Sequence, residues 1–279
     1  MNIPSQNQKA ELFLKLHSSG RILVLPNGWD VASARILEAL GYPAIATTSA
    51  GVAAVLGYPD GQHVPRDEML EVVRRIVDAV QVPVTADMEA GYGSTPEAVA
   101  ETAKAALEAG AVGINLEDVE GANSQVELPL QVEKIKTIRE VSETFGVPLV
   151  LNARTDVYLN RIGEPETRYQ RTVERLHAYR NAGADCLFAP GVTDRDLIAK
   201  LVGAIHGPLN ILISPGCPNL QELRAMGVAR ASTGSSAMRA TLGLLRRIGR
   251  ELMETGEYSS LFEGAIPYAE VNQILAGTK

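Results

Sequence analysis

Residues 84–93 read Val-Thr-Ala-Asp-Met-Glu-Ala-Gly-Tyr-Gly: a short β-type run ends in two carboxylates, Asp87 and Glu89, and a glycine-rich turn follows at once. Further along, a second apolar run, 112–116, ends in Glu117 and Asp118. Four acids at the ends of two successive strands would repel one another, and a bound divalent cation is the simplest relief. The donors are all oxygen, with no His or Cys among them, which selects Mg²⁺ or Mn²⁺ over zinc. Because Mg²⁺ keeps several waters, one acid would coordinate directly while the others hold water. Arg154, in Leu-Asn-Ala-Arg-Thr-Asp, leaves an apolar strand and needs an anionic partner. Its planar fork suits a substrate carboxylate or a developing enolate, and equally an internal pair with Glu117 or Asp118.

Such residues require strands whose carboxyl ends converge. Apolar segments rich in Val, Ile, Leu and Ala begin near Arg21, Ala44, Val82, Gly113, Pro148, Cys186, Pro208 and Val228. Segments of helical period alternate with them at 31–40, 66–80, 96–108, 131–145, 166–182, 194–202, 219–226 and 236–253. The strands are continuously apolar, as parallel strands covered by helices are. Gly110, Gly183 and Gly227 each follow a helix and lead into a strand, where a left-handed residue stops the helix. Eight such units predict an α/β fold, a (β/α)₈ TIM barrel, in a single domain over 1–279 with 254–279 as a C-terminal helical extension. In that fold the site gathers at strand carboxyl ends. This adds Asn27 and Asp30, Thr48, Ser49, Ala50 and Gly51, Asp60, Asn152 and Asp156, although Asp30, directly before a helix, also reads as an N-cap. Thr48–Gly51 reads as a small, flexible turn whose amides can approach an anion. Phe188, Pro190, Asn210 and Ser214 are expected to line the far end of the pocket. Ser232–Ser236, before the last long helix, reads first as a cap and second as a phosphate site.

At 279 residues with 46% hydrophobic content, the chain is long enough to fill a barrel core. A net charge of −7, with 26 Lys and Arg scattered along the chain, argues against nucleic acid as a partner. No run reaches the roughly 18 apolar residues that span a bilayer. The two cysteines, Cys186 and Cys217, match no metal spacing and read as reduced thiols. The first residues lack a signal-peptide pattern, so a cytoplasmic location is expected. No GxSxG or HExxH motif is present.

Taken in order, Asn27–Ala34, Thr48–Gly51 with Leu56–Gly61, Asp87–Gly93, Gly113–Asp118 and Asn152–Asp156 resemble the isocitrate lyase / phosphoenolpyruvate mutase superfamily over roughly residues 20 to 240. The resemblance implies a (β/α)₈ barrel, Mg²⁺, small 2-oxo carboxylate substrates, and a homotetramer that exchanges C-terminal helices. It implies that Asp87 is the metal ligand, that Asp60, Glu89 and Glu117 hold the metal's waters, that Ser49, Ala50 and Gly51 cradle the substrate carboxylate, and that Arg154 contacts substrate. The superfamily's lyases carry a Lys-Cys-Gly-His loop after the fourth strand, whereas residues 119–126 here read Val-Glu-Gly-Ala-Asn-Ser-Gln-Val, without Cys, Lys or His. Asn123 and Ser124 match the mutases better, but the mutases' loop lysines are absent.

The expected activity is therefore cleavage of a carbon–carbon bond beside a 2-oxo group, as in oxaloacetate decarboxylation or a methylisocitrate lyase-like step. Arg154 and the cation would meet the enolate's charge. Asn123 and Ser124, on a closing loop, would sequester it. Carbon–phosphorus chemistry, by a phosphonopyruvate hydrolase or phosphoenolpyruvate mutase, is the first alternative, and a non-catalytic 2-oxo acid binding protein the second.

Overall fold

The computed structural model describes residues 4–121 and 124–277. The chain enters through α1 (Gln6–His17), capped reciprocally by Ser5 and Gln8, and runs into β1 (Leu23–Leu25). Pro26 cannot donate to a ladder, and the first stave breaks there: β1 pairs with the last strand, while β2 (Asn27–Gly28) pairs with the next one. There follow α2 (Val31–Ala39), β3 (Ile45–Thr47), α3 (Ser49–Leu56), α4 (Arg66–Ala79), β4 (Val84–Asp87), α5 (Pro96–Glu108) and β5 (Gly113–Leu116). A short antiparallel hairpin, β6 (Val119–Glu120) with β7 (Ser124–Gln125), then leads to α6 (Leu128–Phe145) and β8 (Val150–Arg154). The remaining elements are α7 (Pro165–Asn181), β9 (Cys186–Phe188), α8 (Arg195–Ala204), β10 (Leu209–Leu212), α9 (Leu220–Ala225), β11 (Arg230–Ser232), α10 (Ser236–Glu254), α11 (Ser259–Phe262) and α12 (Tyr268–Ala276).

The nine strands form one sheet in the order β1-β11-β10-β9-β8-β5-β4-β3-β2. All of its pairings are parallel, and with β1 and β2 consecutive across Pro26 the sheet closes on itself as a (β/α)₈ barrel. Every predicted strand and helix is present within a few residues of its expected bounds. Two helices and the hairpin were not anticipated. α1 lies across the amino-terminal end of the barrel, where Phe13, fully buried, fits against Gly113; a Cβ there would sit 2.9 Å from the Phe13 ring. α3 replaces the flexible turn expected at Thr48–Gly51, because the Thr48 hydroxyl caps the helix and Trp29 packs on Gly51. The C-terminal extension places Ile266, Val271, Ile274 and Leu275 against Ala32 and Ile36 of α2. No helix among the described residues is long and apolar enough to cross a membrane.

Candidate active site

A cavity of about 330 Å³ opens at the carboxyl ends of the strands. Asp87 ends β4 on its wall and is held on three sides. Its Oδ2 accepts from the Ser49 amide and hydroxyl, both at 3.0 Å, and its Oδ1 accepts from Asn115 Nδ2 at 2.9 Å. Asn115 is oriented in turn by Asn152, whose Nδ2 donates to Asn115 Oδ1 at 2.9 Å. The register aligns Asp87 with Asn115 and Asn115 with Asn152, so three adjacent strands carry this chain of amides. Asp60 stands at the rim of the same cavity. Partial burial, and then the charge of Asp87, push its carboxyl above the ordinary range.

Glu89 is buried and turned away from the cavity. Its Oε2 accepts from the Gln62 amide at 2.5 Å and its Oε1 from the Tyr92 hydroxyl at 3.3 Å, while the Tyr92 amide donates to Gln62 Oε1 at 2.8 Å. Gln62, Glu89 and Tyr92 all have left-handed backbones, with φ of 60°, 51° and 55°. Such strain persists only where the surroundings over-determine it, and here it ties the loop carrying Asp60 to the end of β4. Burial, followed by Asp87 and Asp60, pushes Glu89 up to about 7.

Glu117 faces Arg154, with Oε1 2.5 Å from Nη1, and Asp156 Oδ1 accepts from Arg154 Nε at 2.8 Å. Burial holds Glu117 above the ordinary carboxylate range and the guanidinium opposes the rise; we assign the pair as ionised, because Arg154 donates to Glu117 and Asp156 together and stays charged between them. Arg154, which also lies over the Phe188 ring at 5.7 Å, lines the cavity. The internal-pair reading of Arg154 is present in the structure, with Asp156 in place of Asp118 as the second acid.

Four expectations need correction. The four acids do not converge: among the described residues no three Asp, Glu, His or Cys side chains could hold a metal between them. Gln62 and Tyr92 draw Glu89 away and Arg154 draws Glu117 away, leaving Asp87 and Asp60 on the cavity. Asp118 is no part of the mouth. It is fully buried and accepts from Arg175, Tyr179, Thr155, Gln125 and the Asp156 amide. Asn210 is fully buried, accepts from Ser232 Oγ and does not reach the cavity, and neither does Gly51, whose amide turns to the Thr48 hydroxyl. Ser124 is exposed on the β6–β7 hairpin, away from the cavity lining, and Asn123 lies outside the described residues. Thr48, Ser49, Ala50, Phe188 and Ser214 do line it, and Asp30 is the N-cap of α2. Asn115, Gln62, Tyr92 and Arg230 were missed. Asn115 and Arg230 carried a signal, a polar residue inside an otherwise apolar strand.

The arrangement fits a hydrated hard cation. Two crowded carboxylates, Asp87 and Asp60, line the cavity, and carboxylate oxygen is the donor that Mg²⁺ takes beside its waters. The family model described as phosphoenolpyruvate phosphomutase matches residues 13–253. Among curated relatives, 2-methylisocitrate lyase of Escherichia coli K12 is 31% identical, covering 82% of this chain and 79% of its own. The oxaloacetate decarboxylase of Bradyrhizobium diazoefficiens is 30% identical, covering 78% of each chain. A solved lyase/mutase-type structure from Burkholderia cenocepacia J2315 is 38% identical and superposes with a TM-score of 0.92 over 98% of both chains.

Proposed function

Since the chain belongs to the phosphoenolpyruvate phosphomutase family, we propose that it is a Mg²⁺-dependent lyase that cleaves a carbon–carbon bond beside the keto group of a small 2-oxo carboxylate. The observation that carries this reading is Asp87, fixed by Ser49 and Asn115 in a cavity shared with Asp60 and Arg154. Asp87 would hold the cation directly, and Asp60, the other carboxylate on the cavity, would hold its waters. When bound, the cation would supply a Lewis acid for the carboxylate and keto oxygens. The backbone around Thr48, Ser49 and Ala50 would seat the carboxylate at the start of α3. Arg154, kept protonated by Glu117 and Asp156 despite its burial, would oppose the negative charge that appears on the keto oxygen as the bond breaks. With the pair intact, that charge meets a guanidinium already oriented, so little reorganisation is needed.

The relatives' activities on methylisocitrate and oxaloacetate support this chemistry and leave the substrate's side chain open. A carbon–phosphorus reading draws on one feature, the cavity wall formed by Ser235, Ser236 and Arg239 at the start of α10, which would suit a phosphonate. We also propose a homotetramer in the cytoplasm. Support comes from the apolar side chains that α10 and its successors leave exposed, among them Leu245, Met253, Phe262 and Tyr268, and sedimentation velocity would test it. The activity is tested by incubating the protein and Asp87→Ala with Mg²⁺ and oxaloacetate, methylisocitrate, isocitrate, dimethylmalate and phosphonopyruvate. Turnover of a carbon–carbon substrate that vanishes in the variant is expected. Equal turnover by the variant, or cleavage of phosphonopyruvate alone, would refute the proposal.

A further inference from the structure

Arg230 opens β11 and points into the barrel, two residues deeper than Ser232, and it lines the same cavity as Asp87. It is 3% exposed, and its Nε and Nη1 are buried without a hydrogen-bond partner. The other interior arginines are matched: Arg154 to Glu117 and Asp156, Arg175 to Asp118, Arg139 to Asp185. A buried guanidinium without an anion is costly, so an interior that pairs the rest and leaves this one facing a cavity leaves room for a ligand to complete it. Thr85 Oγ1 and Asn152 Oδ1, on two other residues of the cavity lining, are buried and unpartnered too, so the inner end is polar. The cavity is polarised as a whole. Asp60 and Asp87 stand on the side of β3 and β4, and Arg230 and Arg239 on the side of β11.

We propose that Arg230 is a specificity-determining residue that takes a second anionic group, carried on carbon 3 of the 2-oxo acid, and so selects dianionic oxo acids over monocarboxylic ones. This rests on the reading that the keto end of the substrate sits at Asp87. The cavity then meets a dianion with opposite charge at each end, a cation held at the acidic wall and Arg230 at the inner end. A monoanion such as pyruvate leaves the guanidinium unmatched.

The test is calorimetric binding, in Mg²⁺, of pyruvate, 3,3-difluorooxaloacetate and phosphonopyruvate to the wild type, Arg230→Met and Arg230→Lys. Methionine keeps the length without the charge, and lysine restores the charge without the fork. The Met variant should weaken at least one dianion tenfold or more and pyruvate by less than threefold, with part of the loss recovered by Lys; the dianion that loses more identifies carboxylate or phosphonate as the group held. Equal weakening of pyruvate, or no weakening of either dianion, would overturn the assignment. Pyruvate binding that depends on Asp87 would keep the underlying reading standing whichever way the Arg230 comparison falls. Failure of all three ligands to bind the wild type would remove that reading and this one with it.

Discussion

At the scale of single residues, the site depends on how firmly one carboxylate is aimed. Asp87 has two oxygens, and its neighbours use both: Ser49 on one, Asn115 on the other. Asn115 can donate to Asp87 only because Asn152 fixes its amide with the oxygen turned the other way. Groups that orient a metal ligand without touching the metal commonly change affinity about 10- to 100-fold when removed. Asn115→Ala should therefore weaken Mg²⁺ or Mn²⁺ binding by about that factor while the fold persists, which a Mn²⁺ titration followed by electron paramagnetic resonance would measure. Unchanged affinity would mean that Ser49 alone suffices to hold Asp87. Asp87 and Arg154 were legible in the sequence because each ends an apolar strand, while Asp60, which lies beyond α3, took its role from the family resemblance. The pairing of Glu117 with Arg154 was one of the two readings open for that arginine, whereas the diversion of Glu89 was not legible. Gln62 reaches it from another loop, and Tyr92 only through left-handed turns that spacing does not reveal.

At the scale of elements, the strand–helix alternation was readable because apolar runs stopped by glycine leave few other arrangements for the backbone. The exceptions have local causes. Thr48-Ser-Ala-Gly reads as a turn from its weak helix propensity, yet the Thr48 cap and the contact between Trp29 and Gly51 make it the first turn of α3. A Cβ on Gly51 would lie 2.5 Å from Thr48 Cγ2 and 2.7 Å from Trp29 Cβ, so only glycine fits there. Asp118 plays the opposite part to the one its position suggested. From the end of β5 it binds the residues just past β8, Thr155 and Asp156, and the α7 side chains Arg175 and Tyr179. Asp118→Ala would leave Arg175 buried without its anion and should destabilise the protein by about 3–5 kcal/mol, as read from chemical denaturation. Because Asp118 also orients Asp156, a partner of Arg154, turnover should fall in the fraction that remains folded. A loss below about 1 kcal/mol would show that Tyr179 and the Val126 carbonyl already satisfy Arg175.

At the scale of the whole molecule, the barrel has a chemical end and a structural end, and α1 closes the latter. His17 is 6% exposed there, with its Nδ1 2.8 Å from the Phe13 carbonyl and its ring edge-on to Phe13. Burial, and then the charge of Arg230, hold His17 down at about 4. The unfolded chain binds a proton on this residue near its ordinary value of about 6.5, so between roughly pH 6.5 and 4 unfolding takes up a proton. The stability linked to His17 is full above that window and is lost as pH falls through it, by at most about 3 kcal/mol. His17→Gln should flatten that part of the stability profile measured by denaturant titration at successive pH values; an unaltered slope would remove the assignment. At the other end, Asp87 and Asp60 on one wall and Arg230 and Arg239 on the other make a cavity divided by charge, and the account rests on what the acidic wall holds. The most direct measurement is calorimetry of Mg²⁺ added to the metal-free protein with and without oxaloacetate. The account predicts uptake of one ion per chain that tightens when the oxo acid is present and disappears in Asp87→Ala. No uptake under either condition, or uptake that the oxo acid and the substitution leave unchanged, would contradict it.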